Sequence, residues 1–243
     1  MIDDLKEFYS GRNCYDMVMD FHKAFGHEYC VPGEPYKRLS MANRVTRCKW
    51  MAEEVMEYIS AGNADQIEQV DSLVDLLYFI LGTYVIAGLD PYNDSRLNGV
   101  HGDMAGYGRQ MATELYEAGN GYAPADRLYM GSPMEWRTHD GERAIELIFN
   151  YALEGNTIKQ LIALREILDW TLVQFAMVGA DPYPYFVIVH DANMGKLWPD
   201  GKPRYGADRK ILKPDGYEPP QKEMANLMLN DLDREIEDDS VPF

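Results

Sequence analysis

Cysteine and histidine are scarce in this chain: three and five among 243 residues. Cys14, Cys30 and Cys48 are odd in number and form no CxxC pair and no Cys/His cluster. That excludes a zinc ribbon and a disulfide scaffold, and it predicts reduced, structural thiols in an intracellular protein. Basic charge is also short. Lys and Arg number 23 against 40 Asp and Glu, a formal net charge of −17. Such a surface repels a phosphate backbone, which argues against polymeric DNA or RNA as a partner. A small phosphorylated ligand bridged by cations is not excluded. The acidic start "MIDDLKEFYS" has no apolar h-region, so no signal peptide is expected. Long hydrophobic runs are missing too. The most apolar stretch, "LVDLLYFILGTYVIAGL", is broken by Asp75 and too short for a convincing membrane span. These two absences predict a cytoplasmic protein with no membrane partner.

β-type alternation is nearly absent. Only "YFVIVH" is β-branched enough to compete, and it is short. Elsewhere the apolar residues keep a helical period. Over residues 64–87, Ile67, Val70, Val74, Leu77, Leu81 and Tyr84 recur at three- and four-residue steps. Gly88 is placed as the C-cap, with Pro91 soon after. A second helix is expected from Ser40, its N-cap, to Gly62, and an earlier one over "YDMVMDFHKAFG". The expected fold class is therefore all-α.

The chain repeats itself. "EYISAGNADQ" resembles "NYALEGNTIKQ", and "VIAGLDPY" resembles "AMVGADPY". This pairs Tyr58 with Tyr151, Gly62 with Gly155, Asn63 with Asn156, Gly88 with Gly179, and Asp90-Pro91-Tyr92 with Asp181-Pro182-Tyr183. Chance likeness of two amphipathic helices does not produce an ordered series of Gly, Asn, Asp and Pro matches, so a duplication is expected. The division is 1–98 for a helical half carrying a metal site, 99–198 for a degenerate second half, and 199–243 for a Gly/Pro/Lys tail with a short C-terminal helix. Together the halves would form a fused pseudo-dimer.

What is abundant is acid in the first half. Glu54 and Glu57 are i, i+3 on one helix; Asp71 and Asp75 are i, i+4 on the next. The connector "SAGNADQ" is short, so the two helices should pack antiparallel and bring four carboxylates together. Three Glu on one helix alone would read as a solvated face. Asp75 changes that, because it sits inside "SLVDLLYFIL", where an unpaired charge is costly. Hard oxygen ligands suit Mg²⁺, with Mn²⁺ as a substitute, two or three ions around a polyphosphate. A di-iron site would need ExxH motifs, and neither helix holds a His. The second half lacks this set: Leu147 falls opposite Glu54, Asn150 opposite Glu57 and Glu166 opposite Asp75, and nothing acidic matches Asp71.

The ExxE helix followed by "DSLVDLLYF" resembles the all-α nucleoside triphosphate pyrophosphohydrolases, the MazG-like group that includes phosphoribosyl-ATP pyrophosphohydrolase. "VMDFHKAFG" and the tail "VHDANMGKL…DGKP…KILKPDGYEPP" resemble a branch common in phages and mobile elements. The resemblance covers roughly the first ninety residues and the last sixty before the terminal helix. It implies Mg²⁺-dependent cleavage of a (deoxy)nucleoside triphosphate to the monophosphate and pyrophosphate. A metal-activated water would attack phosphorus, with Glu53 or Glu54 as its base. Glu54 and Glu57 match the family's ExxE, and Asp75 matches its final Asp. Ser72 stands where much of the family has Glu, and Asp71 lies one residue earlier on the same face. Asn193 and Lys196 match the tail's "NMxK", with Lys196 expected on phosphate. His22 and Trp50 are candidates for a base pocket, and Lys49, with Arg44 and Arg47, for phosphate contact. For a phage-encoded protein the compartment would be the host cytoplasm. dGTP would suit a role in the host nucleotide pool, but no residue singles it out. The expected partner is a small nucleotide, with further copies of the chain left open. The alternatives are a nucleotide-binding regulatory protein without hydrolysis and a purely structural helical protein.

Overall fold

The computed structural model describes residues 12–31, 33, 37–62, 65–91, 103–118, 134–207 and 210–239, without the side chains of 134–139 and 232–239. Among the described residues there are eight helices and no named strand, only an isolated antiparallel bridge between Tyr205 and Ile211. We number the helices α1 (Cys14–Ala24), α2 (Met41–Ser60), α3 (Gln66–Ala87), α4 (Met104–Glu117), α5 (Met134–Leu153), α6 (Thr157–Val178), α7 (Pro182–Met194) and α8 (Gln221–Asp239). The protein is all-α.

Capping chemistry explains the boundaries. The Asn13 side chain accepts from the Asp16 amide at the start of α1, and Ser40 accepts from the Asn43 amide at the start of α2. Asp65 and Asn156 do the same for α3 and α6. Asp181 caps α7, with Pro182 at the first turn. Gly88 and Gly179 close α3 and α6 in the left-handed region, at φ 71° and 75°, where a side chain would be strained. The Gly88 expectation thus holds. Asn63, Tyr92 and the "MIDDLKEFYS" start lie outside the described residues.

The one β-branched run is helical too. "YFVIVH" belongs to α7, which starts at Pro182 and is buried from Tyr185 to His190. Packing against α1, α3, α4 and α8 overrides its β-branched propensity. The loop-like tail consequently begins at Gly195, since His190–Met194 complete the helix.

α3 is the fold's axis. It packs against α1, α2, α6, α7 and α8, which is why Leu73, Val74, Leu76, Leu77 and Ile80 are all buried on different sides of it. Each such side chain contributes about 1.5–3 kcal/mol of apolar burial. Among the described residues α3 is also the one helix long and apolar enough to cross a membrane, but 83% of that window is buried inside the fold. It reads as a core helix.

Contacts repeat between the two stretches that the sequence pairs. Cys48 Sγ donates to the Ile148 carbonyl at 3.1 Å, while a Cβ on Gly141, the position matching Cys48, would meet Ile59 and Val55. Arg47 Nε donates to Thr83 Oγ1 at 2.7 Å with Tyr151 beside it. At the matching positions, Gln174 Nε2 donates to Asp140 Oδ2 at 2.5 Å, and Gln174 Oε1 accepts from the Tyr58 hydroxyl at 3.0 Å.

Candidate active site

α2 and α3 run antiparallel, and their facing residues fall in an ordered series along one groove. Glu57 and Glu54 face Asp71 and Asp75. One turn further, Trp50 stacks on Phe79 at 5.5 Å between ring centroids, 27° from parallel. Another turn on, Arg47 reaches Thr83. Spacings of three and four residues on both helices produce this order, because they return each helix to the same face.

The carboxylates sense one another. Burial pushes the Glu54 carboxyl up to about 9, reinforced by the charges of Asp75, Glu57, Asp71 and then Glu53. Burial likewise raises Asp75 to about 7, with Asp71 and Glu57 adding to it and Lys196 opposing. Asp71 is raised by burial, against a hydrogen bond from Gln221 Nε2 at 2.9 Å. Among the described residues, no three His, Cys, Asp or Glu side chains are placed so as to hold a metal ion by themselves. The donor set still fits a hard cation: oxygen-only, half-buried at Glu54, Asp71 and Asp75, and short of positive charge. Mg²⁺ keeps waters and substrate phosphates in its shell and needs only one or two protein carboxylates.

The tail closes over this end. Lys196 Nζ donates to Asn193 Oδ1 at 2.5 Å and lies near Asp75. Burial lowers its proton affinity, Asp75 restores some of it, and Lys213 opposes it. Lys196 and Lys213 both sit over the Tyr217 ring, at 6.0 and 4.7 Å. Tyr217 in turn senses Asp75 and Asp71.

Beyond Asp75 and Lys196 opens a cavity of about 700 Å³. Its lining includes His22, Arg47, Trp50, Tyr78, Phe79 and Asn193. The structure therefore gathers His22, Trp50, Asn193 and Lys196 around one space, from three distant parts of the chain. Lys49 is elsewhere. It is 72% exposed, pairs with Glu53 at 3.6 Å, and faces a second cavity, between α2 and α5. Glu53 turns to that side as well, because it lies about 100° around the helix from Glu54. Arg44 is removed from phosphate contact: it is buried and donates to the carbonyls of Ala152 (3.0 Å) and Leu39 (2.6 Å). Sequence reading missed Gln221, Tyr217, Tyr78 and Phe79. The tail residues carry no local signal, and the two aromatics read as ordinary core of the α3 pattern.

Leu147, Asn150, Ile162 and Glu166, which match the four carboxylates, line a shallower cavity with Lys159. Asp169 in that half is instead held by Arg165 (2.6 Å) and the Tyr107 hydroxyl (3.1 Å).

Residues 18–95 match the family phosphoribosyl-ATP pyrophosphohydrolase. No curated protein is significantly similar. A solved chain from Exiguobacterium sp. 255-15, provisionally described as an NTP pyrophosphohydrolase, is 21% identical with a TM-score of 0.49, covering 92% of this chain and 98% of its own. The family match spans α2, α3 and the groove between them, so the stretch of this chain that is similar to phosphoribosyl-ATP pyrophosphohydrolase is the one that carries the carboxylates.

Proposed function

We propose that the chain hydrolyses a nucleoside triphosphate to the monophosphate and pyrophosphate, with Mg²⁺, at one composite site. The observation that supports this best is the order of groups along the α2–α3 groove. Carboxylates occupy one end, the Trp50–Phe79 stack comes next, and Lys196 stands at the junction. Phosphates belong at the first end and a base at the second.

Glu54, Glu57, Asp71 and Asp75 would hold the cation. When bound, it neutralises charge on the polyphosphate and acidifies nearby water. The chain's own groups do the rest. Lys196 Nζ, anchored by Asn193 Oδ1, holds a phosphate oxygen and fixes the reacting phosphorus against the carboxylate end. The Glu54 carboxylate, ionised when a cation offsets the charges of Asp75, Glu57 and Asp71 around it, accepts the proton of the attacking water. Glu53 acts on this step only through its charge on Glu54. Trp50 and Phe79 exclude water beside the base.

Two tandem halves, 1–98 and 99–198, with the 199–243 tail, account for the repeated contacts and for the single acidic cluster. The second half keeps the packing positions while Lys196, from beyond its helices, serves the first half's site.

The test is pyrophosphate release from the common NTPs and dNTPs in Mg²⁺ and in EDTA. Monophosphate and pyrophosphate in equal amounts, in Mg²⁺ only, is the expected result. Release of orthophosphate, or nucleotide binding without any hydrolysis, would refute it.

A further inference from the structure

Arg47 is buried, 8% exposed, and lines the nucleotide cavity one turn beyond the Trp50–Phe79 stack. Its Nε is used on Thr83 Oγ1. Its two terminal nitrogens have no hydrogen-bond or ion-pair partner among the described residues, and the guanidinium carbon lies 6.0 Å from the Trp50 ring. These nitrogens are not among the fully buried atoms left without a partner, so they open onto the cavity and not into the core. The fold makes room for the guanidinium there. A Cβ on Gly82 would come within 2.5 Å of Arg47 Nη2 and 3.1 Å of His22 Nε2, so glycine there is what lets both heads stand over α3.

His22 has a defined hydrogen-bonding role. Its Nδ1 lies 2.7 Å from the Glu28 carbonyl, which can only accept, so Nδ1 carries the proton. Burial keeps the ring neutral, with its pKa lowered to about 4. Nε2 is therefore a bare acceptor. A forked donor and an acceptor thus stand side by side at the cavity's inner end.

Position decides what they read. Gly82 is seven residues along α3 from Asp75, about 10 Å. With phosphates at Asp75 and Lys196, and the base beside Trp50, Arg47 lies past the phosphates, at the far edge of the base. We propose that Arg47 and His22 select the nucleobase, taking an edge that presents two adjacent acceptors followed by a donor. Guanine (N7, O6, N1–H) and cytosine (O2, N3, N4–H) have such an edge. Adenine, thymine and uracil do not, since their acceptors and donors alternate. This reading rests on the nucleotide site proposed above and adds the class of base.

Two readouts separate the proposals. Binding of the four α,β-methylene deoxynucleoside triphosphates is measured by calorimetry, and turnover of the natural dNTPs by pyrophosphate release. Wild type should bind and turn over the guanine or cytosine nucleotide, or both, about ten- to a hundredfold better than the adenine and thymine ones. The analogue 7-deaza-dGTP, lacking one acceptor, should lose that advantage if guanine is the base. 3-Deaza-dCTP should do so if it is cytosine. Gly82→Ala displaces the Arg47 head without removing its charge and improves helix propensity, so it should stay folded and bring the four bases close together. Arg47→Gln, with its melting curve, gives the same comparison. Equal binding of all four bases by wild type would overturn the proposal and leave the hydrolase reading standing. So would a Gly82→Ala or Arg47→Gln loss that falls equally on every base, which would make Arg47 a phosphate or packing group. Base-selective binding without hydrolysis would overturn the hydrolase reading alone, and no binding at all would overturn both.

Discussion

Replacing Glu54 by Gln should stabilise the metal-free protein while abolishing turnover. The reason lies in the crowding of Glu54 by Asp75, Glu57 and Asp71. In the fold its carboxyl titrates at about 9, against an ordinary 4.5. A folded-state pKa raised above the unfolded one means that the stability is present below 4.5 and is lost as pH rises towards 9. At pH 7 the fold must hold a proton that the unfolded chain would release, a cost of at most ~3.4 kcal/mol at about 1.4 kcal/mol per pH unit. Solvent at this half-buried group screens the repulsion and leaves about 1–2 kcal/mol. Gln never bears that cost. For a chain of this size ~2–4 °C accompanies each kcal/mol, so Glu54→Gln should melt about 2–8 °C above wild type in EDTA at pH 7. Its melting temperature should also fall less steeply between pH 5 and 9. Added Mg²⁺ should reverse the order, because ion at a hundred times its Kd stabilises wild type by about 2.7 kcal/mol and the variant by far less. Calorimetric scans over pH, with and without Mg²⁺, check all of this. A variant that melts lower than wild type in EDTA, with an unchanged Mg²⁺ response, would refute the idea that Glu54 belongs to a charge-starved cation site.

Glu57→Gln removes a charge from an exposed helix position, so the fold should survive while pyrophosphate release falls below detection; full activity with unchanged Mg²⁺ dependence would remove Glu57 from the site. Lys196→Ala deletes a point charge on phosphate that contributes on the order of 1–3 kcal/mol, and steady-state assays should show kcat/KM lower by about ten- to a hundredfold with Mg²⁺ affinity nearly unchanged. Glu166→Gln should change turnover less than twofold, because Leu147, Asn150 and Ile162 surround it where the first half has carboxylates; a loss as deep as that of Glu57→Gln would mean that the second half does the chemistry. Trp50→Ala should raise KM about tenfold or more through lost base stacking, with kcat changed little, as kinetics over a range of nucleotide concentrations would show.

Local rules alone determined much of this protein. Three- and four-residue spacing fixed the helices. Ser40 and Gly88 placed their ends, and the ExxE and DxxxD spacings put Glu54 with Glu57, and Asp71 with Asp75, on single faces. These are properties of one helix at a time, so the sequence carries them whole. "YFVIVH" became helix because α7 is packed on neighbours that the sequence does not name. Arg44, Arg47 and Lys49 lie within six residues and looked alike as phosphate contacts. Their angles around α2 send Arg44 to backbone carbonyls, Arg47 into the cavity beyond Asp75 and Lys49 to solvent. Which of them meets a ligand depends on what the other helices place opposite each face. Lys196 beside Asp75 and Gln221 on Asp71 depend on the return of the tail across α3, a contact between residues more than a hundred positions apart. Spacing along the chain fixes what shares a face; only the packing of distant segments, driven by burial of α3 on all sides, decided what that face meets.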